Sequence, residues 1–253
     1  MNLTYFRIEL ARVTRNFSSM FFVAVLPAFL YIVFGAAQSY GSTDIGNGNV
    51  SAYIMIGMAA YGAVTATVSI GGSASVEQMQ GWGRQLGLTP MSDTQRVVTK
   101  AAVGLCIAII PVTVIYIIGA STGAEATPKV WILSALAVLL GAAIFSFFGL
   151  FAGLLFRSES AVGAASGSLV ILAFLGNLFF PLSGVLLDIA RFTPLYGVVA
   201  LARYPLTEGY LASTGAAPTE HDELWVPILN VVVWAAILVV ATIWVSRRGR
   251  ARQ

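Results

Sequence analysis

The chain has 253 residues, 58% of them hydrophobic and 10% charged, with 14 Lys and Arg against 11 Asp and Glu. Soluble domains carry about 25% charged residues, and a folded chain of this size in water cannot hide so much apolar surface. A soluble enzyme and intrinsic disorder are therefore excluded, and the long apolar blocks exclude a barrel of short alternating strands. Cys106 is the single cysteine, so there is no intrachain disulfide and no cysteine-based metal site. The chain reads as an all-α integral membrane protein, one transmembrane domain over residues 1–253.

Residues 1–18 come first. Leu3, Phe6, Leu10, Val13 and Phe17 recur at three- and four-residue steps, one stripe of a helix. Glu9, Arg12 and Arg15 lie off the stripe, Arg7 sits at its edge and Ile8 breaks it. This predicts an amphipathic interfacial helix along the inner membrane surface. Residues 1–37 also resemble a signal peptide, but the apolar run exceeds the usual length of about 7–15 residues and contains Pro27, so it is read as a retained first span.

Six stretches are long enough to cross about 30 Å of hydrocarbon: 20–38, 51–75, 99–121, 130–156, 161–187 and 226–246. Each lacks Asp, Glu and Arg in its central part, where one such charge costs about 2.5–3.5 kcal/mol on insertion. Arg7, Arg12, Arg15, Arg84, Arg96, Lys100, Arg157, Arg247, Arg248, Arg250 and Arg252 fall on one side, against Lys129, Arg191 and Arg203 on the other. Basic residues stay cytoplasmic, which places both termini inside a cell inner (plasma) membrane and leaves the net charge of +3 without need of nucleic acid.

No span carries a central carboxylate, Lys or His, the groups that mark ion-driven carriers. The polar groups there are Thr65, Thr67 and Ser69 in the second span, Ser166, Ser168 and Asn177 in the fifth, and Asn230 in the sixth. Helix–helix hydrogen bonds worth about 0.6 kcal/mol each account for them. Gly149–Gly153 and Gly163–Gly167 are GxxxG patterns that predict close helix contact. There is no G-x-x-x-x-G-K-[ST] motif, and neither lysine follows a glycine, so this chain holds no ATP through a P-loop. No catalytic constellation emerges. The row Glu220-His221-Asp222-Glu223 has metal-ligand residue types, but one loop histidine among acids is read as solvated rather than as a metal site.

Two connections are unlike ordinary loops. In 76–92, Val76, Met79, Trp82 and Leu86 share one face of a short helix, and Thr89-Pro90 ends it. An exposed helix with Trp and Leu on one face invites a protein partner. The second begins at Phe180-Pro181-Leu182-Ser183-Gly184 inside a span and continues through Asp188 to Tyr210. It is too apolar for an open loop and too interrupted for a span. Such segments re-enter the membrane as half-helices where protein or a water-filled cavity receives them, so 188–212 is predicted to be an outer re-entrant segment.

Together the two connections resemble the membrane (permease) subunit of type-2 ABC exporters, the family that exports drugs, lipids and polysaccharides. The family's cytoplasmic signature falls on Glu77, Gly81, Leu86, Thr89, Pro90 and Ser92, with Trp82 standing where Thr or Ser is usual. The outer segment is similar from Pro181 through Phe192-Thr193-Pro194, and Arg203 matches a basic residue that follows it.

The resemblance implies a dimer of six-span subunits, the second permease being the same or a homologous chain, with two copies of a cytoplasmic ABC ATPase that bind ATP and Mg. It makes 76–92 the coupling helix, with Glu77, Gly81, Trp82, Arg84, Leu86, Thr89, Pro90 and Ser92 as its coupling residues. Spans two and five would line the dimer seam, with Thr65, Thr67, Phe174, Asn177, Phe180, Pro181, Phe192 and Pro194 along the substrate path or gate. A seam so apolar suits a hydrophobic or amphipathic compound. A glycan exporter is the alternative within the family, though the aromatic content of spans two and five is modest. An autonomous channel or carrier, or a membrane enzyme, fits the chain less well.

Overall fold

The computed structural model describes residues 3–77, 93–156, 159–212 and 220–250. Helix α1, Leu3–Thr14, is followed after Asn16 by α2, Phe17–Ala36. Asn16 caps α2, its side chain accepting from Ser19 N at 3.1 Å. The path of α2 is not uniform: it widens to π geometry over Phe21–Val25 and again over Ile32–Ala36. Pro27 lacks the N–H that an α-helix would offer the Val23 carbonyl, and the first widening lies directly before it.

A two-stranded hairpin, β1 Asp44–Ile45 with β2 Gly48–Asn49, leads into α3, Val50–Glu77. Then come α4 Asp93–Ser121, α5 Pro128–Phe156, α6 Glu159–Leu175, α7 Val185–Ala190, α8 Pro194–Thr207 and α9 Trp225–Arg250. Among the described residues, five helices are long and apolar enough to cross a membrane: Phe17–Ala36, Val50–Ala74, Val98–Ser121, Pro128–Phe156 and Trp225–Val245. The chain is an all-α, multi-pass membrane fold.

Helix α3 is the axis of the bundle, buried almost all round where its neighbours expose a lipid-facing side. Its run of Gly, Ala, Ser and Thr lets neighbours close in, chiefly α4 and α5. Gly62 sits where three helices meet. A Cβ there would lie 2.8 Å from Pro111 on α4, 3.0 Å from the Val23 carbonyl and 3.3 Å from Pro27 on α2. Gly149 of α5 lies against the backbone of Val68, and Gly71 of α3 against the Ser146 carbonyl, so neither position has room for a side chain. The outer faces of α5 and α9 carry Ile132, Leu136, Leu140, Val232, Ile237 and Val240, an apolar belt that water would not tolerate and lipid would.

The expected fifth span, 161–187, is corrected. Its apolar helix, Val162–Leu175, covers only about 21 Å at 1.5 Å per residue. Helix α6 stops because Gly176 packs against Leu195 and Tyr196, Asn177 takes a left-handed φ of 57°, and Pro181 and Gly184 (φ 56°) prevent a restart before Val185. The segment expected over 188–212 contains the last turn of α7 and all of α8. Helix α8 folds back among α3, α5 and α9, with Pro194 at its start and a left-handed Glu208 at its end.

Candidate functional site

A cavity of about 890 Å³ lies at the end of the bundle that holds α1, the last turn of α3 and the first turns of α4, between α1, α2, α3 and α6. Tyr61, Thr65, Ser69 and Ser73 line it at four-residue steps, one face of α3. Opposite stand Phe22, Val23 and Leu26 of α2, and Val162, Gly163, Ser166, Gly167 and Val170 of α6. Thr65 is buried, with the Tyr61 hydroxyl as the neighbour of its own hydroxyl. Thr67, two residues on, faces the other way. It back-bonds to Ala63 and Val64 and touches Gly104 of α4, so it does not join Thr65 in the cavity.

Four paired charges stand at the mouth. Lys100 Nζ donates to Glu9 Oε2 at 2.7 Å and to Glu77 Oε2 at 2.6 Å, and Arg12 pairs with Glu77 and, at 3.1 Å, with Glu9. Glu9 and Lys100 are both buried. Burial alone would lower the Arg12 pKa, but its pairing with Glu77 and Glu9 raises it above the ordinary arginine value. The cluster ties α1 to the last residue of α3 and the first turns of α4, the two helices that flank 78–92. The periodicity of residues 1–18 placed Glu9 off the apolar stripe, which would leave it in water. The partner that buries it lies 91 positions away. Of the residues assigned to coupling, Glu77 is the one placed. Gly81, Trp82, Arg84, Leu86, Thr89, Pro90 and Ser92 lie outside the described residues.

One turn beyond Val170, past the residues that line the cavity, comes an aromatic cluster. Phe174 stacks on Phe180 at 6.0 Å and meets Phe179 edge-on at 5.0 Å, while Phe179 lies 5.3 Å from Tyr61 and Phe180 6.2 Å from Phe34. This cluster sits on the break after α6. There the Asn177 side chain accepts from Leu182 N at 2.8 Å and holds the turn that carries Pro181.

Arg203, buried on α8, fixes the same break from behind. It donates to the carbonyls of Asn177 at 2.7 Å, Leu178 at 2.9 Å and Tyr53 at 3.2 Å, with its guanidinium 3.7 Å from the centre of the Tyr53 ring. A cation just beyond a helix C-terminus is favoured by the helix dipole, and here it also satisfies carbonyls of the turn that follows α6. Gly57 leaves room for the guanidinium, since a Cβ there would strike it.

Of the predicted path residues Thr65 lines the cavity, while Phe174, Asn177, Phe180 and Pro181 lie at the break beyond it, Pro194 is buried as the first residue of α8 and Phe192 is 80% exposed after α7. Asn230 of α9 holds this region by donating to the Arg191 and Thr193 carbonyls at 2.7 and 3.1 Å, whereas Ser168 bonds only within its own helix, to Ala165. At the far end Arg191 gathers Asp188, Glu220 and Asp222 at 3.0, 2.9 and 2.7 Å, and Asp222 also accepts from the Tyr196 hydroxyl. Desolvation lowers the Arg191 pKa but the paired acids outweigh it and raise it. His221 lies against the Tyr210 ring and hydrogen-bonds Glu208 O at 3.1 Å, so the acidic row is spent on pinning α7 and α8.

No protein-family model matches the chain. It is 24% identical over 258 aligned positions, covering 96% of each chain, to a Bacillus subtilis (strain 168) protein described as "Putative transport permease YvfS". That end-to-end likeness supports a transport-permease role and the resemblance to ABC-type permeases carried by the two connections.

Proposed function

We propose that this chain is the permease subunit of an ATP-driven ABC exporter, moving a hydrophobic or amphipathic compound (drug, antibiotic or lipid) out of the cytoplasm. The end that holds α1 and the mouth of the cavity faces the cytoplasm of the inner membrane, with both termini inside. A separate ATPase subunit, in two copies with its own ATP and Mg, supplies the drive, and a second permease chain, the same or homologous, completes the pathway. The observation that carries the reading is the cavity walled by α3 and α6, opening beside Glu77, where the coupling signature begins.

Mechanically, ATP can shift a conformational equilibrium only through a difference in affinity for two states. The segment 76–92 is the element that passes this difference to α3 and α4, and Arg12, Glu9 and Lys100 carry it on to α1. The break at Gly176–Gly184 lets α7 and α8 move as the far-side gate while α6 keeps its place along the cavity.

The glycan-export alternative would use aromatic faces as platforms for sugars. Here Phe174 and Phe180 stack on each other outside the cavity lining, whose apolar residues are mostly aliphatic, which favours an apolar ligand. The test is affinity isolation of the chain from gently solubilised native membranes, repeated with Leu86→Asp. A stoichiometric P-loop ATPase released by the substitution is the expected result. Recovery of the chain alone, under conditions that keep other membrane complexes intact, would give first place to an autonomous channel. Pro90→Ala should likewise lower transport-linked ATPase activity while membrane insertion is unchanged.

A further inference from the structure

The two ends of the cavity offer a ligand different chemistry. At the mouth, Glu9, Glu77, Arg12 and Lys100 are two acids and two bases, each paired with an opposite charge. The described lining therefore has no net charge and no unpaired ion. Deeper in, the polar groups are neutral hydroxyls, Tyr61, Thr65, Ser69, Ser73 and Ser166, and Thr65 is buried. Phe22, Leu26 and Val170 line the apolar side, which leads to the Phe174–Phe180 stack. The volume of about 890 Å³ falls within the range of small-molecule sites, about 300–1,000 Å³.

Building on the exporter reading, we infer that this cavity is a binding site selective for an uncharged amphiphile. A non-ionic, hydroxyl-bearing head lies among Thr65, Ser69 and Ser166, and the tail runs along Phe22, Leu26 and Val170. The selectivity is electrostatic. A sulfate or ammonium head entering here loses its hydration and finds no free counter-charge among the described lining residues. To gain one it must split an existing pair and leave the displaced partner buried and alone. A neutral head loses only hydrogen bonds to water, which the hydroxyls replace.

Three probes with one oleyl chain and different heads isolate this effect: monoolein, oleyl sulfate and oleyltrimethylammonium. Their equilibrium binding to the purified full chain, without any ATPase, should rank monoolein at least tenfold tighter than either ion. Gly167→Leu fills the cavity at a position where an added Cβ meets nothing within 4 Å, so it leaves the fold in place. It should weaken monoolein binding about tenfold. Glu77→Gln leaves one excess positive charge at the mouth and should raise oleyl sulfate affinity relative to monoolein.

Equal binding of all three probes would overturn the inference, as would monoolein binding untouched by Gly167→Leu. If Gly167→Leu instead abolished self-association with monoolein binding unchanged, the groove would be a seat for a second copy. Because no ATPase is present, loss of probe selectivity alongside intact ATPase recovery removes only the ligand class. Failure of both experiments removes the exporter reading as well.

Discussion

Lys100 shows how a single residue changes meaning once its neighbours are known. In the sequence it is one of several basic residues that orient the chain, and in the fold it is buried between Glu9 and Glu77. Removing one partner of a buried ion pair costs about 3–5 kcal/mol, because the other charge is stranded. Lys100→Met should therefore lower the thermal unfolding temperature of the detergent-solubilised chain sharply. Adding Glu9→Gln should recover part of the loss, since one stranded carboxylate is then gone, and a double variant no better than the single one would contradict the pairing. Arg203 makes a second case. Its three carbonyl contacts diverge from one planar fork that a lysine ammonium does not reproduce. Arg203→Lys should raise hydrogen exchange over 176–184 while leaving α3 protected. Neither role could be read from the chain, because Glu9 and Lys100, like Tyr53 and Arg203, meet only through tertiary packing.

Two glycine patterns of the same form turn out to be different elements of structure. Gly149 is pressed on the Val68 backbone, whereas Gly163 and Gly167 face open space within one chain. Gly149→Val should prevent α3 and α5 from closing and reduce recovery of folded protein. Gly163→Val should leave the monomer's unfolding temperature within a few degrees and act only on whatever occupies the cavity or the seam. Size-exclusion recovery and thermal unfolding of the two variants side by side decide this. Spacing announced both patterns equally, since a GxxxG run records only that a backbone can approach, and a neighbour must be present to do so. The fifth span teaches a related lesson. Its composition reads as apolar to residue 187, yet Asn177 in a left-handed turn and the Arg203 clamp end the helix at Leu175.

At the scale of the molecule, the apolar belt and the charge asymmetry follow from composition and order alone. Burying 58% hydrophobic residues needs a lipid solvent, and helices of about 20 residues are what satisfy the backbone there. The helical membrane class, the N-terminal helix, the broken segment before the last span and the resemblance to a permease were all legible for that reason, because periodicity and local motifs are properties of neighbours along the chain. Tertiary structure alone decided which face of α3 lines the cavity, since Thr65 and Thr67 differ by two residues and a helix turns them to different neighbours. It also decided that the charges at the cavity mouth cancel in pairs. Those are relations between residues dozens of positions apart, and only packing brings them within the few ångströms over which charges and hydroxyls act.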